Sequence, residues 1–201
     1  MRDQKLSRRS FIKGVIASAA VASGTSYLLQ GPGEAMAAGK GAVERLVSLK
    51  VNGQTRRVDV MPNDTIAHVL RYKLGLTGTK IGCDRAECGN CTVMIGEETY
   101  YSCSTLVHTV RNREITTVEG IKSENGGLHP VQQAFIDELG PQCGFCTPGQ
   151  VVTAVAFLKK NPRPTREEAR QAMAGNLCRC GAYGNYLNGI MRAAQNSVSM
   201  K

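Results

Sequence analysis

The stretch QCGFCTPG, Gln142–Gly149, decides how the C-terminal half of the chain is read. Cys143 and Cys146 stand two residues apart immediately before a helix start, with Thr147 as the expected N-cap and Pro148 at the first helical position. A Cys-x-x-Cys pair serves a redox dithiol, half of a zinc site, a haem attachment site or part of an iron–sulfur cluster. Haem attachment needs His at 147, where Thr stands. A redox dithiol also sits at a helix N-terminus, which lowers its thiol pKa, but its usual setting is a βαβ unit. Here the surroundings read as helix only, and a second close pair waits further on, Cys178-x-Cys180 in GNLCRCGAYGNY. Zinc stays open, although a Cys-x-Cys half-site is less usual than the common finger spacings.

Working outward, PVQQAFIDELG places Val131, Ala134, Phe135 and Leu139 on one helical face. TPGQVVTAVAFLKKN follows, with Lys159 and Lys160 in the last turn, where cations suit the helix dipole. In PTREEARQAMAGN, Thr165 and Glu168 form a capping box and Gly175 is a stop. YGNYLNGIMRAAQN completes a bundle of four short helices, expected over 126–196. A polar, glycine-containing segment, EGIKSENGG, separates it from what precedes.

The segment 42–120 reads as a small α+β unit. RLVSLKV alternates as a half-buried strand, Asn52-Gly53 signals a two-residue hairpin, and TRRVDV returns as its partner. PNDTIAHVLRYKLG is a helix with Asp64 as expected N-cap, Ile66, Val69 and Leu70 on one face, and Gly75 as its stop. CTVMI and TYYSC make a second hairpin, and EITTVEG gives a last short strand. This unit carries the other four cysteines. Cys83, Cys88 and Cys91 fall in one loop, KIGCDRAECGNC, and Cys103 follows after a strand. The spacing resembles that of plant-type ferredoxins. Such a loop has little side-chain bulk beside the sulfurs, so its backbone N–H groups can point at them. Two disulfides or a four-thiolate zinc site are the alternatives.

The formal charge is +9. The first 37 residues hold five basic residues and two acids, which leaves 20 basic and 14 acidic residues beyond them. That remainder is scattered, with no basic stripe interleaved with aromatics, and nucleic-acid binding is not expected. The opening segment reads as an address. Ser7-Arg8-Arg9-Ser10-Phe11-Ile12-Lys13 looks like a bacterial twin-arginine signal, with Ile12 where Leu is more usual. The uncharged run Gly14–Leu29 is short and weakly apolar for a membrane span. Ala35 and Ala37 offer the small side chains a signal peptidase reads. A twin-arginine signal over 1–37 implies export of the folded protein to the periplasm, cofactors already inserted, by the twin-arginine machinery.

QCGFCTPG followed by GNLCRCGAYGNY is similar to the iron–sulfur subunit of the molybdenum hydroxylase (xanthine oxidase) family, and the likeness runs from Leu46 to Ala194. The family usually continues its second motif with Thr-Gly-Tyr, where Gly181-Ala182-Tyr183 stands here. The resemblance implies an α+β architecture: a β-grasp 2Fe–2S ferredoxin-like domain followed by an all-α four-helix 2Fe–2S-binding domain. It implies one cluster on Cys83, Cys88, Cys91 and Cys103, a second on Cys143, Cys146, Cys178 and Cys180, and a contact from Gln142 to molybdopterin (as the cytosine dinucleotide). It further implies a large molybdenum-binding partner oxidising an aldehyde or N-heterocycle, and an FAD subunit or c-type cytochrome (haem c) as acceptor. No catalytic constellation stands on this chain, and His68, His108 and His129 are isolated, with structural roles expected. A free-standing periplasmic two-cluster ferredoxin and a thiol–disulfide oxidoreductase using Cys143 and Cys146 are the competing functions.

Overall fold

The computed structural model describes residues 45–110, 112–123 and 125–199, with Arg9, Ile12 and Lys13 besides. The expected signal, 1–37, otherwise lies outside the described residues. Val43–Lys201 forms one compact unit. Among the described residues no helix is long and apolar enough to cross a membrane.

Strand β1 (Arg45–Val51) pairs antiparallel with β2 (Gln54–Val60), from Arg45 opposite Val60 to Val51 opposite Gln54. Both turn residues have positive φ, Asn52 at 52° and Gly53 at 75°, as a type I′ hairpin demands. Alternation buries Leu49, Val51, Val58 and Val60 and leaves their neighbours toward solvent. Helix α1 (Ile66–His68) follows and continues as a π turn over Val69–Lys73, closed by Leu74 N–H donating to Val69 O. Its N-cap is Thr65, whose hydroxyl accepts from His68 N–H, and not Asp64 as expected. The Asp64 carboxylate is already engaged by Met61 N–H at 2.8 Å and by Lys73 at 2.9 Å.

Strands β3 (Thr92–Ile95) and β4 (Glu98–Tyr101) form the second hairpin, and β5 (Glu114–Thr116) inserts between β1 and β3, parallel to the first and antiparallel to the second. The sheet order is β2-β1-β5-β3-β4. Ile66, Val69 and Leu70 of the helical segment share a core with Val51, Val93 and Ile115 of the sheet. A mixed sheet holding one helix across its face is the β-grasp arrangement.

The second half is helical: α2 (Pro130–Asp137), α3 (Thr147–Lys160), α4 (Arg166–Ala172) and α5 (Tyr183–Ser199). The Thr165/Glu168 capping box is present at α4. Two expectations need correction. Leu139 is not on the buried face of α2: it is 74% exposed at φ 52°, because the helix has ended and Gly140 N–H closes back onto Phe135 O. Thr147 is not the N-cap of α3: Cys146 holds that position, and the Thr147 hydroxyl pairs with Tyr186 Oη at 2.7 Å.

The halves meet through β3. All four of its residues are buried. Val93 and Ile95 face the β-grasp core, whereas Met94 packs with Phe135, Val152 and Met173 in the helical core. A strand buried on both faces reads as an unbroken apolar run, and VMI is one.

Candidate metal centres

The loop carrying Cys83, Cys88 and Cys91 is irregular backbone bent by positive φ at Asp84 (55°), Ala86 (59°) and Gly89 (70°). Two non-glycine residues in that region within one loop mark a backbone held by its surroundings. The bend turns N–H groups inward. Cys83 N–H donates to Cys88 Sγ, Glu87 N–H to Cys83 Sγ and Ala86 N–H to Cys103 Sγ, each at 3.4 Å. Asp84, Arg85 and Glu87 face solvent. The thiols interact in pairs, Cys83 with Cys88 and Cys91 with Cys103. Burial raises Cys83, but the N–H groups of Arg85, Glu87 and Cys88 outweigh it and bring the thiol down to about 7. Burial, with the Cys103 thiol adding to it, pushes Cys91 up to about 12. A thiol with that much resistance to ionising alone needs a cation to hold it as thiolate.

Cys143, Cys146, Cys178 and Cys180 also gather in two pairs, Cys146 with Cys178 and Cys143 with Cys180. The first pair is buried and the second exposed, so one edge of this quartet opens outward. Burial, then the Cys178 thiol, pushes Cys146 up to about 11. At Cys178 burial is opposed and overcome by N–H groups of Ala182, Cys180 and Gly181 and by Cys146, which together lower it. Gln142 and Arg179 are exposed beside this open edge. Tyr183 Oη accepts from Cys178 N–H at 2.9 Å, and burial holds the Tyr186 phenol above its usual range and so protonated.

The two quartets are joined by a backbone seam. Leu177 N–H donates to Cys88 O at 2.9 Å, linking a residue next to Cys178 with Cys88 itself. Asn176 Nδ2 donates to Gly89 O, Gln150 Nε2 to Asn176 O, and Tyr101 Oη to Gly175 O. The seam is closed tightly enough that a Cβ on Gly149 would lie 2.3 Å from Gly89 O. A cavity of about 490 Å³ lies along it, lined by Cys88, Asn90, Cys143, Phe145, Cys146 and Cys178 among others. Sequence reasoning missed Gln150, Asn176 and Tyr186. Gln150 had a signal, a lone polar residue in an apolar helical run; Asn176 and Tyr186 had none.

All eight cysteines are free thiols. Among the described residues no group of three or more His, Cys, Asp or Glu side chains is drawn together closely enough to hold a metal ion. Thiols in two pairs, with N–H groups donating to their sulfurs, suit a dinuclear centre in which each iron takes two thiolates. The three histidines serve structure: His68 pairs with Asp64 at 3.4 Å, His108 Nε2 lies 3.1 Å from Met61 O, and His129 caps α2.

The chain matches the 2Fe-2S iron-sulfur cluster binding domain over residues 49–117 and the [2Fe-2S] binding domain over residues 117–191. It is 39% identical to the aldehyde oxidoreductase iron-sulfur-binding subunit of Escherichia coli K12, over 96% of this chain and 90% of the relative. A nicotinate dehydrogenase subunit from Pseudomonas putida is 43% identical, over 76% of this chain and 97% of that one. Among solved structures, a chain of quinoline 2-oxidoreductase from Pseudomonas putida 86 superposes with a TM-score of 0.73 at 39% identity, covering 78% of this chain and 97% of its own length. The chain belongs to the iron–sulfur small subunits of the molybdenum hydroxylase family, the 2Fe–2S electron-transfer subunits of oxidoreductases.

Proposed function

We propose that this chain relays electrons from a molybdenum subunit that oxidises an aldehyde or an N-heterocycle to an FAD subunit or a c-type cytochrome. The observation that carries the reading is the Leu177 N–H to Cys88 O hydrogen bond, which places the two cysteine quartets in one continuous structure. Cys83, Cys88, Cys91 and Cys103 would hold one 2Fe–2S cluster, and Cys143, Cys146, Cys178 and Cys180 the other. Each such cluster takes up and gives off one electron at a time. The protein's own part is to fix the distance, keep water out and set the charge around each sulfur. The buried amides of Gln150 and Asn176 and the close approach of Gly149 to Gly89 do the first, and the burial of Cys91, Cys103, Cys146 and Cys178 serves the second. The N–H groups aimed at Cys83, Cys88 and Cys103 do the third.

Cys143 and Cys180 form the exposed edge, and Phe145, Leu177 and Tyr183 stand exposed around it. An apolar rim about an exposed ligand pair suits docking of the molybdenum subunit there, with Gln142 reaching its molybdopterin cytosine dinucleotide. Aldehydes and N-heterocycles are both represented in the names of the relatives, which supports that substrate class. Export to the periplasm by the twin-arginine machinery rests on the residues Ser7–Lys13.

The test is iron and sulfide analysis of the native protein. About four irons per chain with reducible signals are expected for two 2Fe–2S centres. Zinc or unligated thiols in their place would end the cluster reading, and a native mass equal to this chain alone would end the subunit reading. Gln142→Ala should leave the iron content intact and slow turnover of the assembled complex about five-fold, the worth of one hydrogen bond. Unchanged turnover would remove the pterin contact.

A further inference from the structure

Tyr186 is a buried phenol, 2% exposed, on α5. Its Oη lies 3.7 Å from Cys146 Sγ and 2.7 Å from Thr147 Oγ1. We propose that Tyr186 raises the reduction potential of the helical-domain cluster by donating a hydrogen bond to the Cys146 sulfur. This rests on the reading of Cys143, Cys146, Cys178 and Cys180 as cluster ligands.

The direction of the bond follows from proton accounting. As an iron ligand Cys146 is a thiolate, which has no proton and can only accept. Two hydroxyl protons, on Thr147 and Tyr186, then need acceptors. If Thr147 donates to Tyr186 Oη and Tyr186 donates to Cys146 Sγ, both are satisfied. The reverse order leaves the half-buried Thr147 hydroxyl without a protein acceptor among the described hydrogen bonds and the Cys146 sulfur without the phenol proton, so the first order makes one more hydrogen bond within the protein. Each donor in such a chain polarises the next.

The phenol is held in place from two sides. Phe135 meets its ring edge-on, centroids 4.9 Å apart at 75°, and a Cβ on Gly140 would lie 3.0 Å from its Cδ1. The donor is therefore fixed relative to the sulfur rather than free to turn to water. The sulfurs of Cys83, Cys88 and Cys103 receive backbone N–H groups, which no side-chain substitution removes. Cys146 is reached by a side-chain hydroxyl, so one residue can retune its centre. A donor to a ligand sulfur favours the more negative, reduced form and so raises the potential.

The experiment is a potentiometric titration of the full chain in its native complex, followed by electron paramagnetic resonance, with iron content measured alongside. Tyr186→Phe keeps the ring and its packing on Phe135. It should retain the iron and lower the midpoint of one centre by about ten-fold in its one-electron equilibrium, about 59 mV, leaving the other centre unmoved. Thr147→Val removes the hydroxyl that feeds Tyr186 and should move the same centre in the same direction by less. Retained iron with neither midpoint moved, or both moved alike, would overturn the proposal. Should Tyr186→Phe lose iron, an unmoved midpoint in Thr147→Val overturns it equally. An unsubstituted chain without two reducible signals would overturn the cluster reading first, and this inference with it.

Discussion

Asp64 is 8% exposed and its carboxylate takes the Met61 N–H at 2.8 Å, Lys73 at 2.9 Å and His68 at 3.4 Å. Burial alone would raise its pKa; Lys73, the Met61 N–H and His68 outweigh burial and lower it. A depressed carboxylate contributes stability that is present above its unfolded value and lost as pH falls through the folded one. Asp64→Asn keeps an acceptor for Met61 but loses the charge opposite Lys73. It should cost about 1 kcal/mol at neutral pH, modest because Lys73 is partly exposed, and should flatten the acid limb of stability below the ordinary carboxylate range. Urea unfolding across that range measures both effects; an unchanged acid limb would assign the pH dependence to other groups. At this scale the sequence was informative about residue type and less so about partner. That Asp64 and Thr65 are both capping types was readable, but which one caps α1 depended on Lys73, nine positions on. The cysteines were readable as two quartets because thiol spacing is local; their division into exposed and buried pairs was not.

The start of α2 illustrates the scale of the element. His129 is its N-cap: Nδ1 accepts from Val131 N–H at 3.2 Å, and Gln132 Oε1 accepts the His129 N–H at 2.8 Å. Burial, then the charge of Lys159, lowers the His129 pKa. Protonation would occupy the very nitrogen that accepts, so the cap requires neutral imidazole. The unfolded chain takes up the proton first, so stability from this group is complete above about pH 6.5 and declines as pH falls through the lower folded value. The expected loss is about 1 kcal/mol, the usual worth of a cap. His129→Asn supplies an acceptor that does not titrate and should remove that decline; thermal unfolding from pH 7.5 to 5 decides it, and a decline that persists would place it elsewhere. Helix ends of this kind were partly legible. Thr165 and Glu168 announced their box because both residue types are common there, whereas a histidine cap has no such signature. Strands fared better where a turn fixed them: Asn52-Gly53 set the register of β1 and β2 because a type I′ turn tolerates little else.

For the molecule as a whole the decisive contact is the seam between the β-grasp and helical halves. Gly149 lies inside α3, where Ala would favour the helix by about 1 kcal/mol. Its added Cβ would nevertheless meet Gly89 O at 2.3 Å, backbone that cannot swing aside. Gly149→Ala should therefore destabilise by a net 1–3 kcal/mol, roughly the cost of overpacking, and weaken the Leu177–Cys88 bond. Hydrogen exchange at Leu177 and denaturant unfolding read the two effects; a more stable variant with Leu177 still protected would show that the seam can open to admit a methyl group. The sequence by itself determined the element order, the two-residue hairpin, the helical character of the second half and the two cysteine quartets, because turns, caps, periodicity and metal-ligand spacing act over a few neighbouring residues. It carried no sign of the sheet order, in which β5 comes to lie between β1 and β3. Nor did it show that β3 is covered on both faces, that Gln150 and Asn176 bridge to Gly89, or that Tyr186 reaches Cys146. Those depend on close packing between segments far apart in the chain, where one missing Cβ or one buried hydrogen bond sets the approach. Only the tertiary structure brings such partners together.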